Sequence, residues 1–139
     1  MSIPALVPTD YSITTTLKNT SFQDAVEKVT AALKVEGFGV LTQIDVQATL
    51  KKKLDADTRP YLILGACNPT LAYETLQAEP AVGVLLPCNV VVSTNDGGDI
   101  VVAAVNPVAM FGVVNRPDVA PLAQDVYDRL ARVIASLEA

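Results

Sequence analysis

A chain of 139 residues has room for one domain with its own core. Half of its residues are hydrophobic and 18% are charged, a composition for a globular protein and against a disordered one. The net charge of −5 argues against nucleic acid and anionic membrane as partners, and the absence of histidine removes Ser-His-Asp and Cys-His nucleophiles, His-ligated zinc and a His general base.

The opening "MSIPALVPTDYS" lacks the basic n-region and apolar h-region of a signal peptide, and no apolar run approaches the ~20 residues that cross a bilayer. The expectation is a cytoplasmic protein with two reduced thiols, residues 1–10 forming an extension. Asn19-Thr20-Ser21 matches the glycosylation pattern only by chance in that setting. "YSITTTL" (11–17) is rich in Thr and Ile and reads as a strand. Ser21 then caps a helix, with Asp24 completing a weak capping box. Phe22, Val26, Val29 and Leu33 form its apolar face, Asp24 and Lys28 lie four apart on its wet face, and Gly37 ends it.

"FGVLTQI" (38–44) is a second strand, and Asp45 caps a short helix in which Val46, Leu50 and Leu54 share a face. Lys51-Lys52-Lys53 fall in its last turn, where positive charge complements the helix dipole, so a solvated helix end outweighs an anion site. "YLILGAC" (61–67), apolar on both faces, predicts a central strand. Asn68 caps the next helix, Pro69 takes its first position and Pro80 stops it. Residues 82–94, "VGVLLPCNVVVST", read as extended, with Pro87 imposing a bend, bulge or edge. "NDGG" (95–98) signals a hairpin into the strand "IVVAAV" (100–105).

Residues 106–117 show no period and read as an irregular apolar segment or an interface. Asp118 is expected to cap a long final helix with a buried stripe of Leu122, Val126, Leu130, Ile134 and Leu137; Asp125–Arg129 and Asp128–Arg132 are its surface pairs. With no linker or repeat, the expected architecture is a single α+β domain over residues 1–139. It has one antiparallel or mixed sheet, helices packed on it and a long C-terminal helix.

The only cysteines, Cys67 and Cys88, are each followed by asparagine, Asn68 and Asn89. Free cysteine is often buried for packing alone, and strand-end grammar accounts for Asn68-Pro69, so packing outweighs function on the residues themselves. The functional case is positional. Cys67 precedes a helix N-terminus, which lowers a nearby thiol pKa. If 82–86 ran parallel to 61–67, Cys88 would share the same sheet edge, where ligands bind in open α/β sheets. If 82–94 were one strand, Cys88 would sit mid-strand and farther away. No Gly-rich phosphate loop is present: "GFG" (37–39) and "DGG" (96–98) lack the following helix and spacing.

"EGFGVLTQIDVQATLKKKL", "YLILGACNPTLAYETLQAEPAVGVLLPCNVVV" and "VNPVAM" resemble the domain-of-unknown-function 302 family over roughly residues 11–137. The resemblance implies a small α+β domain with a TATA-binding-protein-like fold, a homodimer and no DNA binding. Gly65–Pro69 and Leu86–Val90 match the family's most recognisable stretches, and no activity carries over.

The leading expectation is a cytosolic, homodimeric, non-catalytic domain holding a small ligand, or a soft metal such as copper(I), near Cys67, Asn68, Cys88 and Asn89. No cofactor is identified. The alternatives are a thiol-based redox or Cys-nucleophile enzyme, and a purely structural domain with Met110 and Phe111 at its interface.

Overall fold

The computed structural model describes residues 2–138; Met1 and Ala139, the ends of the expected domain, lie outside the described residues. Five strands, β1 (Ser12–Leu17), β2 (Gly39–Asp45), β3 (Tyr61–Cys67), β4 (Cys88–Thr94) and β5 (Ile100–Val105), form one sheet in the order β1-β5-β4-β3-β2. Every pairing is antiparallel. The helices are α1 (Phe22–Val35), α2 (Val46–Leu54), α3 (Pro69–Ala78), α4 (Pro107–Phe111) and the long α5 (Ala120–Leu137), with 3₁₀ turns at Pro80–Leu85 and Gly112–Val114. The α+β architecture expected from the sequence is the one found.

Strand register decides which side chains make the core. Thr15, Val102, Val92 and Leu62 stand opposite one another across four strands, as do Ile13, Ala104, Val90 and Leu64. Opposed residues share a face, and α1 and α5 cover this one. Ala25, Val26, Val29 and Leu33 of α1 and Val126, Leu130, Val133, Ile134 and Leu137 of α5 are buried against it. Each fully buried Leu or Val contributes about 1.5–3 kcal/mol of transfer free energy. Polar ties fix the two helices: Arg129 Nη1 donates to Glu36 O at 3.1 Å and Arg132 Nε to Glu36 Oε1 at 3.0 Å. The expected Asp128–Arg132 pair gives way to this one because Glu36, on the neighbouring helix end, lies within reach, while Asp125–Arg129 forms at 2.9 Å.

Three local expectations are corrected. Residues 82–94 are not one extended segment. Glu79 Oε1 accepts from Ala81 N at 3.3 Å and starts a 3₁₀ turn, so β4 begins only at Cys88. Val82 leaves the sheet and joins Phe111, Val119 and Ala123 in a second, smaller core, where Met110, Leu85 and Leu86 pack as well. Residues 106–117 are not irregular throughout: Asn106 Oδ1 accepts from Val108 N and Ala109 N and caps α4. Asp118 does not cap α5. Val119 occupies that position with no side-chain bond, because the Asp118 carboxylate is held in the fork of Arg116, at 2.9 and 2.7 Å.

Candidate functional site

The chain returns after α3 so that Cys88 stands opposite Ala66, one residue short of Cys67. Neither expected geometry holds. The 3₁₀ turn reverses the chain, and the antiparallel pairing sets the start of β4 against the end of β3. The two Cys-Asn segments are therefore neighbours at one edge of the sheet. Pleat alternation assigns Cys88 and Ala66 to the helix-covered face and Cys67 to the other. Both cysteines are free thiols.

This edge carries a cavity of about 340 Å³, within the range of small-molecule sites. Its lining comes from residues far apart in sequence: Phe38 and Leu41 before and in β2, Ala66 and Cys67 in β3, and Leu71, Ala72 and Leu76 in α3. Leu86, Pro87, Cys88, Phe111 and Val126 add to it, and Thr42, Asn68 and Thr75 are its hydroxyl- and amide-bearing members. The lining is mostly hydrocarbon. Leu41 and Leu76, 67% and 37% exposed, stand where it meets solvent.

Local grammar explains how the polar groups are spent. Asn68 Oδ1 accepts from Leu71 N at 3.2 Å and caps α3, its Nδ2 lies 3.5 Å from Glu36 O, and Thr75 Oγ1 donates to Leu71 O at 2.7 Å. Gly37 turns at φ +87°, where glycine is favoured, and a Cβ there would lie 2.9 Å from Asn68 Nδ2 and press on the capping side chain. Gly65 is constrained by space alone: a Cβ would fall 2.9 Å from Pro87 Cγ and run into Thr42 Oγ1.

Burial in this apolar setting, and secondarily the neighbouring Cys67, pushes the Cys88 thiol up to about 11. At neutral pH it is protonated and behaves as a small apolar surface. Among the described residues no group of three or more His, Cys, Asp or Glu converges as metal ligands.

Of the four expected site residues, Cys67, Asn68 and Cys88 line the cavity, whereas Asn89 is exposed and outside the lining. Phe111 lines it too, from the second core, and Met110 packs in that core beside it. Leu41, Leu71, Ala72, Leu76 and Val126 carry no mark of a site in the sequence, because no period singles out residues gathered from six elements. Lys51 gives its charge to Asp55 and Asp57, at 2.9 and 3.1 Å, as a solvated helix end does.

The family model described as "Domain of unknown function DUF302" matches residues 13–137. The fold is similar to the crystal structure of an uncharacterized conserved DUF302 protein from Bacillus stearothermophilus. That chain is 31% identical, the match covers 91% of this chain and 98% of that one, and the TM-score is 0.84. No curated protein matches the chain.

Proposed function

The chain belongs to the domain-of-unknown-function 302 family, and on that premise we propose that it is a non-catalytic binding domain for a small, predominantly apolar ligand, seated in the cavity at the junction of β3, α3 and β4. The observation that carries this reading is the hydrocarbon lining, in which the polar groups of Asn68 and the buried Thr75 are already engaged, Asn68 in capping α3 and Thr75 in a bond to Leu71 O. Such a site rewards shape and apolar area over charge. A ligand with one soft or weakly polar end suits the Cys67 side best, where the thiol is half-exposed.

The same chemistry disfavours those forms of the alternatives that need Cys88. A nucleophilic or redox cysteine works as thiolate, and burial opposes ionisation of Cys88. A copper(I) ion bridging the two sulfurs would have to displace that proton against the same burial. Two free thiols suit a cytoplasmic setting, and we include homodimerisation in the reading.

The probe that tests it is N-phenyl-1-naphthylamine, an apolar dye whose emission rises in hydrocarbon surroundings. The wild-type chain should bind it saturably at one site, and Ala72→Phe, which fills the cavity from α3, should abolish binding while the helical signal persists. Absence of saturable binding, or equal binding by Ala72→Phe, would overturn the reading. Titration with copper(I) should leave the dye-free melting temperature unchanged.

A further inference from the structure

The two edges of the sheet are unequal. β1 exposes Thr16, and its remaining positions are buried or half-buried. β2 is exposed at six of its seven positions, and two of those are Leu41 and Ile44, 67% and 50% exposed. Among the described residues it pairs with β3 alone, so its outer edge presents unpaired backbone N–H and C=O groups. Charges and prolines, which block such edges in other sheets, are lacking: in "GVLTQID" the single charge is Asp45, at the far end. The one protective feature is the irregularity between Val40 and Thr42.

We infer that β2 is the homodimer interface: it pairs antiparallel with β2 of a second copy across a two-fold axis, and the second copy covers the mouth of the cavity at Leu41. A partner for this edge must itself offer an extended, apolar, nearly uncharged strand. A second β2 is such a strand, and a two-fold axis needs self-complementarity. Antiparallel pairing centred on the middle of the strand sets each Asp45 against the uncharged start of the other, so no like charges oppose.

Surface area agrees. The chain exposes 7748 Å², against roughly 6,900 Å² typical of a folded monomer of this mass. The chain thus exposes more surface than a monomer of its mass usually does, and Leu41 and Ile44 are part of that surface. Leu41 and Thr42 belong to both surfaces, since they lie in β2 and line the cavity. The covering of the cavity rests on the ligand reading above; the pairing does not.

The test uses the full chain and Ile44→Lys, a substitution outside the cavity lining at an exposed position. Sedimentation velocity of the wild type should give twice the 14.7 kDa chain mass, and Ile44→Lys should give the single-chain mass with the circular dichroism of the fold retained. The variant should bind N-phenyl-1-naphthylamine several-fold more weakly, because the mouth is open. Amide exchange on the wild type, which needs no variant, should show outward-facing β2 amides more protected as concentration rises. A monomeric wild type, an Ile44→Lys variant that remains a dimer, or β2 exchange that ignores concentration would overturn the pairing. If the dye fails to bind a chain that still dimerises through β2, the ligand reading falls and the pairing stands. If Ile44→Lys is monomeric and binds dye with unchanged affinity, the pairing stands and the covering of the mouth falls.

Discussion

At the scale of the residue, Cys88 is where packing and chemistry meet. The strand register sets it on the core face opposite Ala66, so its thiol is surrounded by hydrocarbon. Removing a thiolate from water is costly, and the group responds by holding its proton up to about pH 11. The sign of the linkage follows. The unfolded chain releases this proton near the usual cysteine value of about 8.5 while the folded chain retains it, so the folded state binds more protons between those limits. The resulting stability is present in full below about pH 8.5 and is lost as pH rises towards 11. Its size is on the order of 3 kcal/mol. Urea midpoints measured from pH 7 to 11 should therefore fall more steeply for the wild type than for Cys88→Ala, and parallel curves would show that burial does not hold the proton. Maleimide labelling at neutral pH, a separate readout of the same proton, should reach Cys67 well before Cys88.

At the scale of the element, the legible parts were those governed by neighbours in sequence. Ser21, Asp45 and Asn68 read as helix caps, and each side chain accepts a backbone N–H three residues on. The illegible parts were governed by competition for a side chain or by partners far away. Asp118 looks like a cap, yet Arg116 two residues earlier competes for its carboxylate and wins two bonds. "VGVLL" looks like a strand, since β-branched residues suit sheets, but Val82 and Leu85 are drawn into the second core with Phe111 and Val119. The capping role of Asn68 makes a prediction that separates grammar from function. Asn68→Ala should lower stability by about 1 kcal/mol, the ordinary cost of a lost cap, and Asn68→Asp should recover most of it, because a carboxylate caps equally well and suits a helix N-terminus. Asn68→Ala should bind the apolar dye as the wild type does. A loss of dye binding in Asn68→Ala, with the fold retained, would mean that the amide itself contacts the ligand.

At the scale of the whole molecule, the strand count and the α+β class were readable from alternation and punctuation, whereas the order β1-β5-β4-β3-β2 was not, because pairing depends on where each connection returns. The cavity inherits that limit: Phe38, Leu71, Phe111 and Val126 meet only once the topology is fixed. One residue holds together parts of the chain that no local rule connects. Arg59, whose side chain is 15% exposed, donates through Nε to Ile3 O at 2.7 Å, through Nη1 to Thr94 O at 2.6 Å and through Nη2 to Asp96 Oδ1 at 2.7 Å. It thereby ties the segment before β1 to the entry of β3 and to the hairpin after β4. Ser2 and Ile3 add bonds to Thr58 and Arg59, with Ile3 N donating to Thr58 Oγ1 at 2.8 Å. The exposed Asp96 contributes little, but two carbonyls that lose a charged donor cost roughly 1.5–3 kcal/mol each when no water replaces it. Arg59→Met keeps the apolar stem and removes all three bonds. It should destabilise the fold by about 2–4 kcal/mol and open residues 2–10 to limited proteolysis under conditions where the wild-type segment is spared. Arg59→Lys should restore only part of this, since one ammonium cannot reproduce a planar fork aimed at three acceptors. If Arg59→Met resists the protease as the wild type does, the N-terminal segment is held by its own packing and the guanidinium is incidental.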